Sequence, residues 1–246
     1  MPIPAVIHQT WKTLKIPQWA QKWHRSWKKY NPTYIHVLWS DKDNFSFIKT
    51  YYPQFLSLYK QFPVKIQKVD FVRYLLLYHY GGIYADLDFE CFKPLDVFLP
   101  YSLVLSKSSN MNYITNSIMM SEPRHPFWIV LCNEIAQAEP RKWYETEGMY
   151  VLRSTGPVMI NRIAKKVFHK PYASAVKILQ PNYFFPFSMW KKNKYQDLAK
   201  HDFPKAFGCH HHQCTWSTEQ SKIIPLVILV ISGFIMLILY MLQHRR

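Results

Sequence analysis

Short runs of β-branched and apolar residues alternate along the chain with longer stretches whose apolar residues recur at helical spacing. The short runs predict strands at residues 5–8, 34–38, 83–89, 103–105 and 176–179. The longer stretches predict helices near residues 18–29, 43–51, 68–80, 126–138 and 157–168. This alternation indicates a single α/β domain with a mostly parallel sheet, whose ligands bind at the carboxyl ends of the strands.

The last apolar run is longer than all the others. Residues 223–242 contain twenty residues without a charge, which at about 1.5 Å per residue matches a hydrocarbon core of roughly 30 Å. A buried core helix rarely lacks a polar face over such a length, so this run predicts a transmembrane helix. We therefore expect a folded domain at residues 1–221, a membrane anchor at 223–242 and a short basic tail at 243–246.

Such a layout predicts a single-pass protein of an endomembrane, the endoplasmic reticulum or Golgi, with a C-terminal anchor. Two orientations are compatible with the sequence. His244, Arg245 and Arg246 favour a cytosolic C-terminus by the positive-inside rule. Insertion as a tail-anchored protein would instead leave the folded domain in the cytosol.

Composition supports a folded domain and restricts its partners. Hydrophobic residues make up 49% of the chain, with 17 Tyr, 16 Phe and 9 Trp, which is enough for a sizeable core. The 31 Lys and Arg exceed the 15 Asp and Glu, and the formal net charge of +16 favours polyanionic partners such as nucleic acid, phosphorylated small molecules or anionic lipid. The basic residues form no tract typical of a nucleic-acid-binding tail, so we do not expect a nucleic-acid partner.

The densest group of acidic residues follows two adjacent glycines. Gly81 and Gly82 permit positive φ at the end of the preceding predicted helix. The strand predicted after them places Asp86, Asp88 and Glu90 on one face, because side chains alternate along a strand. Three converging carboxylates would be stabilised by a hard divalent cation that bridges a diphosphate. The alternative is an exposed edge strand with solvated acids.

Two predicted helices carry side chains at informative spacing. Asp70 and Arg73 are spaced i,i+3 on a largely apolar helix. They form either an ion pair within the helix or two ligand contacts, with Asp70 binding base or ribose and Arg73 binding phosphate or sugar oxygens. Trp19, Trp23 and Trp27 are spaced i,i+4,i+8 and predict the buried stripe of a helix rather than an acceptor site.

A histidine cluster lies between two cysteines near the predicted anchor. His210, His211 and His212 are flanked by Cys209 and Cys214. A solvated polar loop, a hard-metal ligand and a soft-metal site of zinc type all stay open, although the cysteine spacing is not a standard zinc-finger pattern. The two cysteines would pair if the compartment were oxidising.

The order of these motifs resembles a known family. Residues 70–88 resemble the sugar-binding region of the DXD-containing glycosyltransferases, which include the fungal initiating α-1,6-mannosyltransferases and the mannosyl inositol phosphorylceramide synthases. The chain departs from the family pattern at Thr215, where serine is usual, and at Cys214. Further motifs in the family's order lie at residues 3–11, 116, 126–128, 155–157 and 210–216.

The resemblance implies a GT-A-type, Rossmann-like fold and retaining transfer from a nucleoside diphosphate sugar with Mn²⁺ or Mg²⁺. It implies that Trp11 stacks on the base, that Trp216 donates its indole N–H to phosphate, and that His211 completes the metal site of Asp88. The predicted catalytic residues are Asp86, Asp88 and Asn116, the predicted donor-binding residues are Trp11, Asp70, Arg73, Asp86 and Trp216, and the predicted metal ligands are Asp88 and His211.

The mannosyl inositol phosphorylceramide synthases resemble this layout most, so the expected reaction transfers mannose from GDP-mannose to an inositol phosphorylceramide-like sphingolipid in a membrane. A protein-linked glycan is the alternative acceptor. Two other classes stay open on the residues alone. One is a divalent-metal phosphohydrolase or nuclease, which would need a second metal site or an activated water. The other is a non-enzymatic, membrane-anchored binding protein in which the acids are structural.

Overall fold

A computed structural model of the chain describes residues 1–109, 113–168, 176–187 and 203–213, and its main element is a six-stranded sheet. Short 3₁₀ turns connect several of its helices and strands. The elements in chain order are β1 (Val6–Thr10), α1 (Gln21–Tyr30), β2 (Ile35–Trp39), α2 (Asp41–Tyr51), α3 (Leu56–Gln61), α4 (Lys65–Tyr80), β3 (Gly82–Ala85), β4 (Phe89–Cys91), β5 (Leu103–Lys107), β6 (Ile114–Ser121), α5 (Pro126–Ala136), α6 (Glu147–Ser154), α7 (Pro157–Val167), β7 (Val176–Leu179) and β8 (Gly208–His210).

The main sheet has the strand order β2-β1-β3-β6-β5-β7. Strand β1 pairs in parallel with β2 and β3, and β5 pairs in parallel with β7. Strand β6 is antiparallel to both of its neighbours, β3 and β5. All strands except β6 therefore point the same way, which confirms the predicted α/β class with a mostly parallel sheet. The sequence did not predict β6.

The acidic segment does not form one continuous strand. Strand β3 ends at Ala85, and the backbone N–H of Phe89 donates to the carbonyl of Asp86 at 3.1 Å across a turn. Strand β4 then pairs antiparallel with β8 in a separate two-stranded sheet. The prediction that Asp86, Asp88 and Glu90 share one strand face was wrong, because the first two belong to the turn and Glu90 belongs to β4.

The hydrophobic core lies on both faces of the main sheet. Tyr84 of β3 and Leu105 of β5 pack into one cluster, which contains most of the buried residues of α4 and α5. Their chain neighbours Ile83 and Val104 pack into the other cluster, with Trp27 of α1. This division follows from the alternation of side chains along a strand. The sheet is thus held between two layers, and its edge stays available for polar residues.

Two glycines make the sharp connection from α4 to β3. Gly81 has φ 65° and Gly82 has φ 91°, as their position after the helix predicts. A Cβ on Gly82 would lie 2.6 Å from the carbonyl oxygen of Val6 in β1. This close approach lets β3 pair with β1, so that both strands end at the same edge of the sheet.

Within the described residues, no helix is both long enough and apolar enough to span a bilayer. The predicted anchor at residues 223–242 lies outside the described residues. The anchor and the domain boundary at residue 221 therefore stay predictions.

Candidate active site

Three side chains meet where β3 ends. Asp86, Asp88 and His210 each offer one ligand atom, and these atoms lie within 4.8 Å of one another. The β4–β8 pairing places His210 opposite Phe89, which brings its imidazole back to the turn. The ring nitrogen Nε2 of His210 donates to Asp88 Oδ1 at 3.1 Å, and the backbone N–H of Gln213 donates to Asp88 Oδ2 at 2.8 Å.

The neighbouring histidine faces a different acid. Nε2 of His211 donates to Glu90 Oε2 at 2.9 Å, and its ring stacks on Trp23 with centroids 4.0 Å apart and planes 11° apart. The structure thus brings Asp86 and Asp88 together, and it places His210, not the predicted ligand His211, beside them. The physical reason is that successive residues leaving an extended strand point in different directions.

The donor set of this cluster fits a hard divalent cation. Two carboxylates and one imidazole are ligands that Mn²⁺ and Mg²⁺ accept, with the imidazole favouring Mn²⁺. The Nδ1 atom of His210 is buried and has no hydrogen-bond partner among the described residues. A cation bound here would supply positive charge against a departing diphosphate.

The alternative of a zinc site with cysteine ligands is not supported by the described residues. Cys209 is buried on β8, and its thiol lies 3.6 Å from the carbonyl oxygen of His210. The candidate metal cluster contains no cysteine. Cys214, the other half of the predicted pair, lies outside the described residues.

Burial and neighbouring charges have opposite effects on the pKa values of Asp86 and Asp88. Burial raises the pKa of Asp86, and the Arg73 guanidinium beside it opposes that shift. Burial also disfavours the ionised form of Asp88, but His210 and the Gln213 N–H outweigh it and hold the pKa of Asp88 well below its usual range. Asp88 is therefore ionised at neutral pH, as a metal ligand must be.

Arg73 links helix α4 to the acidic turn. Its Nη1 lies 3.1 Å from Asp86 Oδ1, and its Nη2 lies 3.2 Å from Asp70 Oδ1. Asn116 donates to Asp70 Oδ1 at 2.8 Å, and Thr155 donates to Asp70 Oδ2 at 2.9 Å. The ion pair predicted within the helix is thus present in α4, and its arginine also contacts Asp86 of the acidic turn. The ligand contacts of Asp70 and Arg73 stay a prediction.

Strand β1 supplies supporting residues that the sequence did not predict. Gln9 donates to the carbonyl of Asp86 at 3.3 Å. The Tyr84 hydroxyl donates to Asp86 Oδ1 at 2.9 Å. Because its one hydrogen is used in that bond, it accepts from the Thr10 hydroxyl, which lies 2.9 Å away. The available signal was the strand predicted at residues 5–8, which the polar residues Gln9 and Thr10 follow at the edge where parallel strands place ligands.

The tryptophans near this edge differ in burial. Trp11 directly follows β1, and its ring meets the edge of Trp19 at a centroid distance of 5.5 Å. Only Trp27 of the predicted stripe is fully buried, whereas Trp19 is 36% exposed and Trp23 stacks on His211. The prediction of a buried stripe was wrong because α1 begins at Gln21, after a 3₁₀ turn that carries Trp19. Trp216 lies outside the described residues.

A family model matches the segment that contains the acidic turn. Residues 17–105 match the glycosyltransferase sugar-binding region containing a DXD motif. The chain belongs to this glycosyltransferase family. The resemblance inferred from residues 70–88 is thereby confirmed, and Asp86 and Asp88 are the two acids of its DXD motif.

Relatives of this chain include two fungal enzymes. A mannosyl phosphorylinositol ceramide synthase of Saccharomyces cerevisiae is 36% identical over 184 residues, which cover 74% of this chain and 47% of that protein. An initiation-specific α-1,6-mannosyltransferase of Candida albicans is 32% identical over 134 residues, which cover 52% of this chain and 34% of that protein. The chain spans about half the length of the first of these relatives.

A solved structure shares the fold of this chain. The PaToxG glycosyltransferase superposes with a TM-score of 0.55 and 18% identity, covering 68% of this chain and 71% of that chain. At this identity the likeness concerns the fold alone. It confirms the predicted GT-A-type fold, in which the sheet is mixed and mostly parallel.

Proposed function

We propose that this chain is a retaining, metal-dependent mannosyltransferase that moves mannose from GDP-mannose to an inositol phosphorylceramide-like sphingolipid. The observation that carries the proposal is the cluster of Asp86, Asp88 and His210 at the carboxyl end of β3. The similarity to a yeast mannosyl phosphorylinositol ceramide synthase supports mannose as the sugar and a phosphorylinositol ceramide as the acceptor.

We place the donor at the DXD turn, which is the acidic turn of residues 86–88. The side chain of Asp86 is 25% exposed, whereas those of Asp70 and Arg73 are only 4% and 3% exposed. Asp86 is therefore the member of the buried network that a sugar or ribose can reach, and the other two orient it. Asp88 and His210 would hold a Mn²⁺ or Mg²⁺ ion under the diphosphate. The base of the donor would stack on Trp11.

A membrane-borne acceptor fits the predicted anchor. A helix at residues 223–242 would hold the catalytic domain at the surface of the bilayer that contains the acceptor. We accordingly propose a single-pass protein of the endoplasmic reticulum or Golgi membrane. Anionic headgroups would also attract a chain with a formal net charge of +16.

A second candidate acceptor is a protein-linked glycan. The observation that favours it is the 32% identity to the initiation-specific α-1,6-mannosyltransferase over 52% of the chain.

Two functions other than glycosyl transfer are disfavoured. A phosphohydrolase or nuclease with two metals would need a second metal site, whereas the described residues hold one candidate metal cluster. A non-enzymatic binding protein is disfavoured by the acids and the imidazole that converge at the end of β3.

The test is a transfer assay with the full chain in membranes that contain inositol phosphorylceramide. Labelled GDP-mannose and Mn²⁺ are supplied, and the label is followed into the organic extract and into the protein-linked glycan. We expect label in the lipid phase, and labelled UDP-glucose serves as the control donor. Label confined to glycan would support the second candidate, and label in neither fraction would contradict the proposed function.

A further inference from the structure

A basic groove lies between helix α1 and strand β4, next to the DXD turn. Its volume is about 310 Å³. Lys22, Arg25 and Lys29 line it from α1, and Glu90 and Cys91 line it from β4. None of the three cations has a role in the donor site described above.

The two walls of this α1–β4 groove are fixed to each other. The backbone N–H of Cys91 donates to Ser26 Oγ at 2.8 Å. The indole N–H of Trp27, which is fully buried, donates to the carbonyl of Phe89 at 2.7 Å. Because both bonds join α1 to β4, the cations project from a helix that cannot move away from the acidic strand without breaking buried contacts.

The charges that line the groove are unbalanced. Lys22, Arg25 and Lys29 are spaced i,i+3,i+7 and therefore share one helix face. Glu90 is the only acid of the lining, it lies 4.0 Å from Lys22 Nζ, and it already accepts a hydrogen bond from His211. Among the described residues, no acceptor or carboxylate pairs with Arg25. Arginine and lysine in excess over acids at an open groove are suited to a phosphate group.

The position of the groove assigns this anion to the acceptor. The donor diphosphate is proposed at Asp88 and His210. Glu90, two residues after Asp88, accepts from His211 at 2.9 Å and lies 4.0 Å from Lys22 Nζ, so the groove begins at the acid next to that cluster in the chain. A second anion site beside the first is what a reaction between a nucleoside diphosphate sugar and a phosphate-bearing acceptor requires.

We propose that the α1–β4 groove binds the phosphodiester of the acceptor headgroup, with Lys22 and Arg25 as its main contacts. The inference rests on the proposed function and names the part of the acceptor that the enzyme recognises. It places the polyol ring of the headgroup toward Glu90, on the side of the groove that faces the DXD turn.

A binding measurement without donor tests the groove separately from catalysis. Isothermal titration calorimetry compares glycerophosphoinositol, a soluble phosphodiester, with myo-inositol on the full chain in neutral detergent. We expect the wild type to bind the phosphodiester at least tenfold more tightly than the free polyol. The double variant Lys22→Gln, Arg25→Gln should lose that difference. Lys28→Gln is the matched control, because Lys28 is exposed on the same helix and does not line the groove.

Equal affinity of the wild type for the two probes would overturn the inference, and so would the same loss in Lys28→Gln, which would indicate attraction by net charge alone. In the transfer assay the double variant should raise KM for the phosphoinositol lipid at least tenfold and leave KM for GDP-mannose within twofold. A rise in KM for the donor would place the groove at the donor and would also overturn the inference. Absence of transfer by the wild type would contradict the proposed function, while the calorimetry would still decide the groove.

Discussion

Arg73 is buried between two carboxylates, Asp70 on its own helix and Asp86 on the DXD turn. Removing a buried cation leaves its acidic partners uncompensated, which costs about 3–5 kcal/mol. We therefore expect Arg73→Leu to lower the free energy of unfolding by about that amount in urea denaturation. Arg162→Leu is the control, because Arg162 is 58% exposed beside Glu134 and such pairs contribute about 0–1 kcal/mol. Equal, small losses in the two variants would show that the buried network is dispensable for folding.

His8 makes folding sensitive to acid. Its Nε2 donates to the carbonyl of Gly81 at 3.0 Å, and its Nδ1 accepts from the indole N–H of Trp39 at 3.2 Å. Burial lowers the pKa of His8 from 6.5 to about 4, although the bond to Gly81 opposes the shift. As pH falls below 6.5 the unfolded chain gains a proton that the folded chain excludes, so stability is lost between about pH 6.5 and pH 4.

The corresponding measurement compares the wild type with His8→Gln in urea denaturation at two pH values. From pH 7.5 to pH 5 the wild type should lose about 2 kcal/mol more than the variant, because only the wild type carries the suppressed protonation. The variant itself should be less stable at pH 7.5, since its side chain cannot keep both hydrogen bonds. Parallel losses in the two proteins would show that His8 is not the acid-sensitive group.

Among the elements, α1 is attached to β4 through the indole of Trp27. Trp27→Phe keeps most of the buried ring but leaves the carbonyl of Phe89 without its donor, at a cost of about 1–3 kcal/mol. Trp143→Phe is the matched control, because Trp143 is 95% exposed and surface changes usually stay within about 0.5 kcal/mol. Thermal unfolding of both variants checks this, and equal midpoints would mean that the indole hydrogen bond contributes nothing to stability.

The sequence predicted the elements whose local pattern is regular. Strands β1, β2, β5 and β7 and helices α2, α4, α5 and α7 lie within three residues of their predicted bounds. Strand β6 was missed because it contains three polar residues in a row, Thr115, Asn116 and Ser117, and Asn116 is buried through a bond to Asp70 on α4 that local pattern does not show. Strand β8 has three residues and pairs with β4 far away in the sequence, so local pattern carries no signal for it.

The same limit applies to the candidate site. The two acids of the DXD motif and the pair on α4 were predicted because spacing along one segment identifies them. Which histidine lies beside Asp86 and Asp88, His210 or His211, depends on the register of β4 against β8. Neither segment specifies that register alone. The support of Asp86 by Gln9 likewise depends on the pairing of β1 with β3.

At the scale of the whole molecule, the predicted anchor at residues 223–242 would determine where the proposed enzyme meets its proposed acceptor. Twenty uncharged residues should keep the full chain in the membrane pellet during alkaline carbonate extraction. A high-salt wash is the control, because it releases proteins that are held to the bilayer by charge alone. Release of the chain by carbonate would contradict a transmembrane anchor.

The proposed function requires that sugar transfer depend on the metal cluster at the DXD turn. The direct measurement is the initial rate of mannose transfer from GDP-mannose to the phosphoinositol lipid, recorded with Mn²⁺, with excess EDTA, and for Asp88→Asn. We predict that chelation abolishes transfer, that Mn²⁺ restores it, and that Asp88→Asn stays inactive with Mn²⁺ while its circular dichroism spectrum is unchanged. Undiminished transfer in excess EDTA, or by the folded Asp88→Asn variant, would contradict the proposed function.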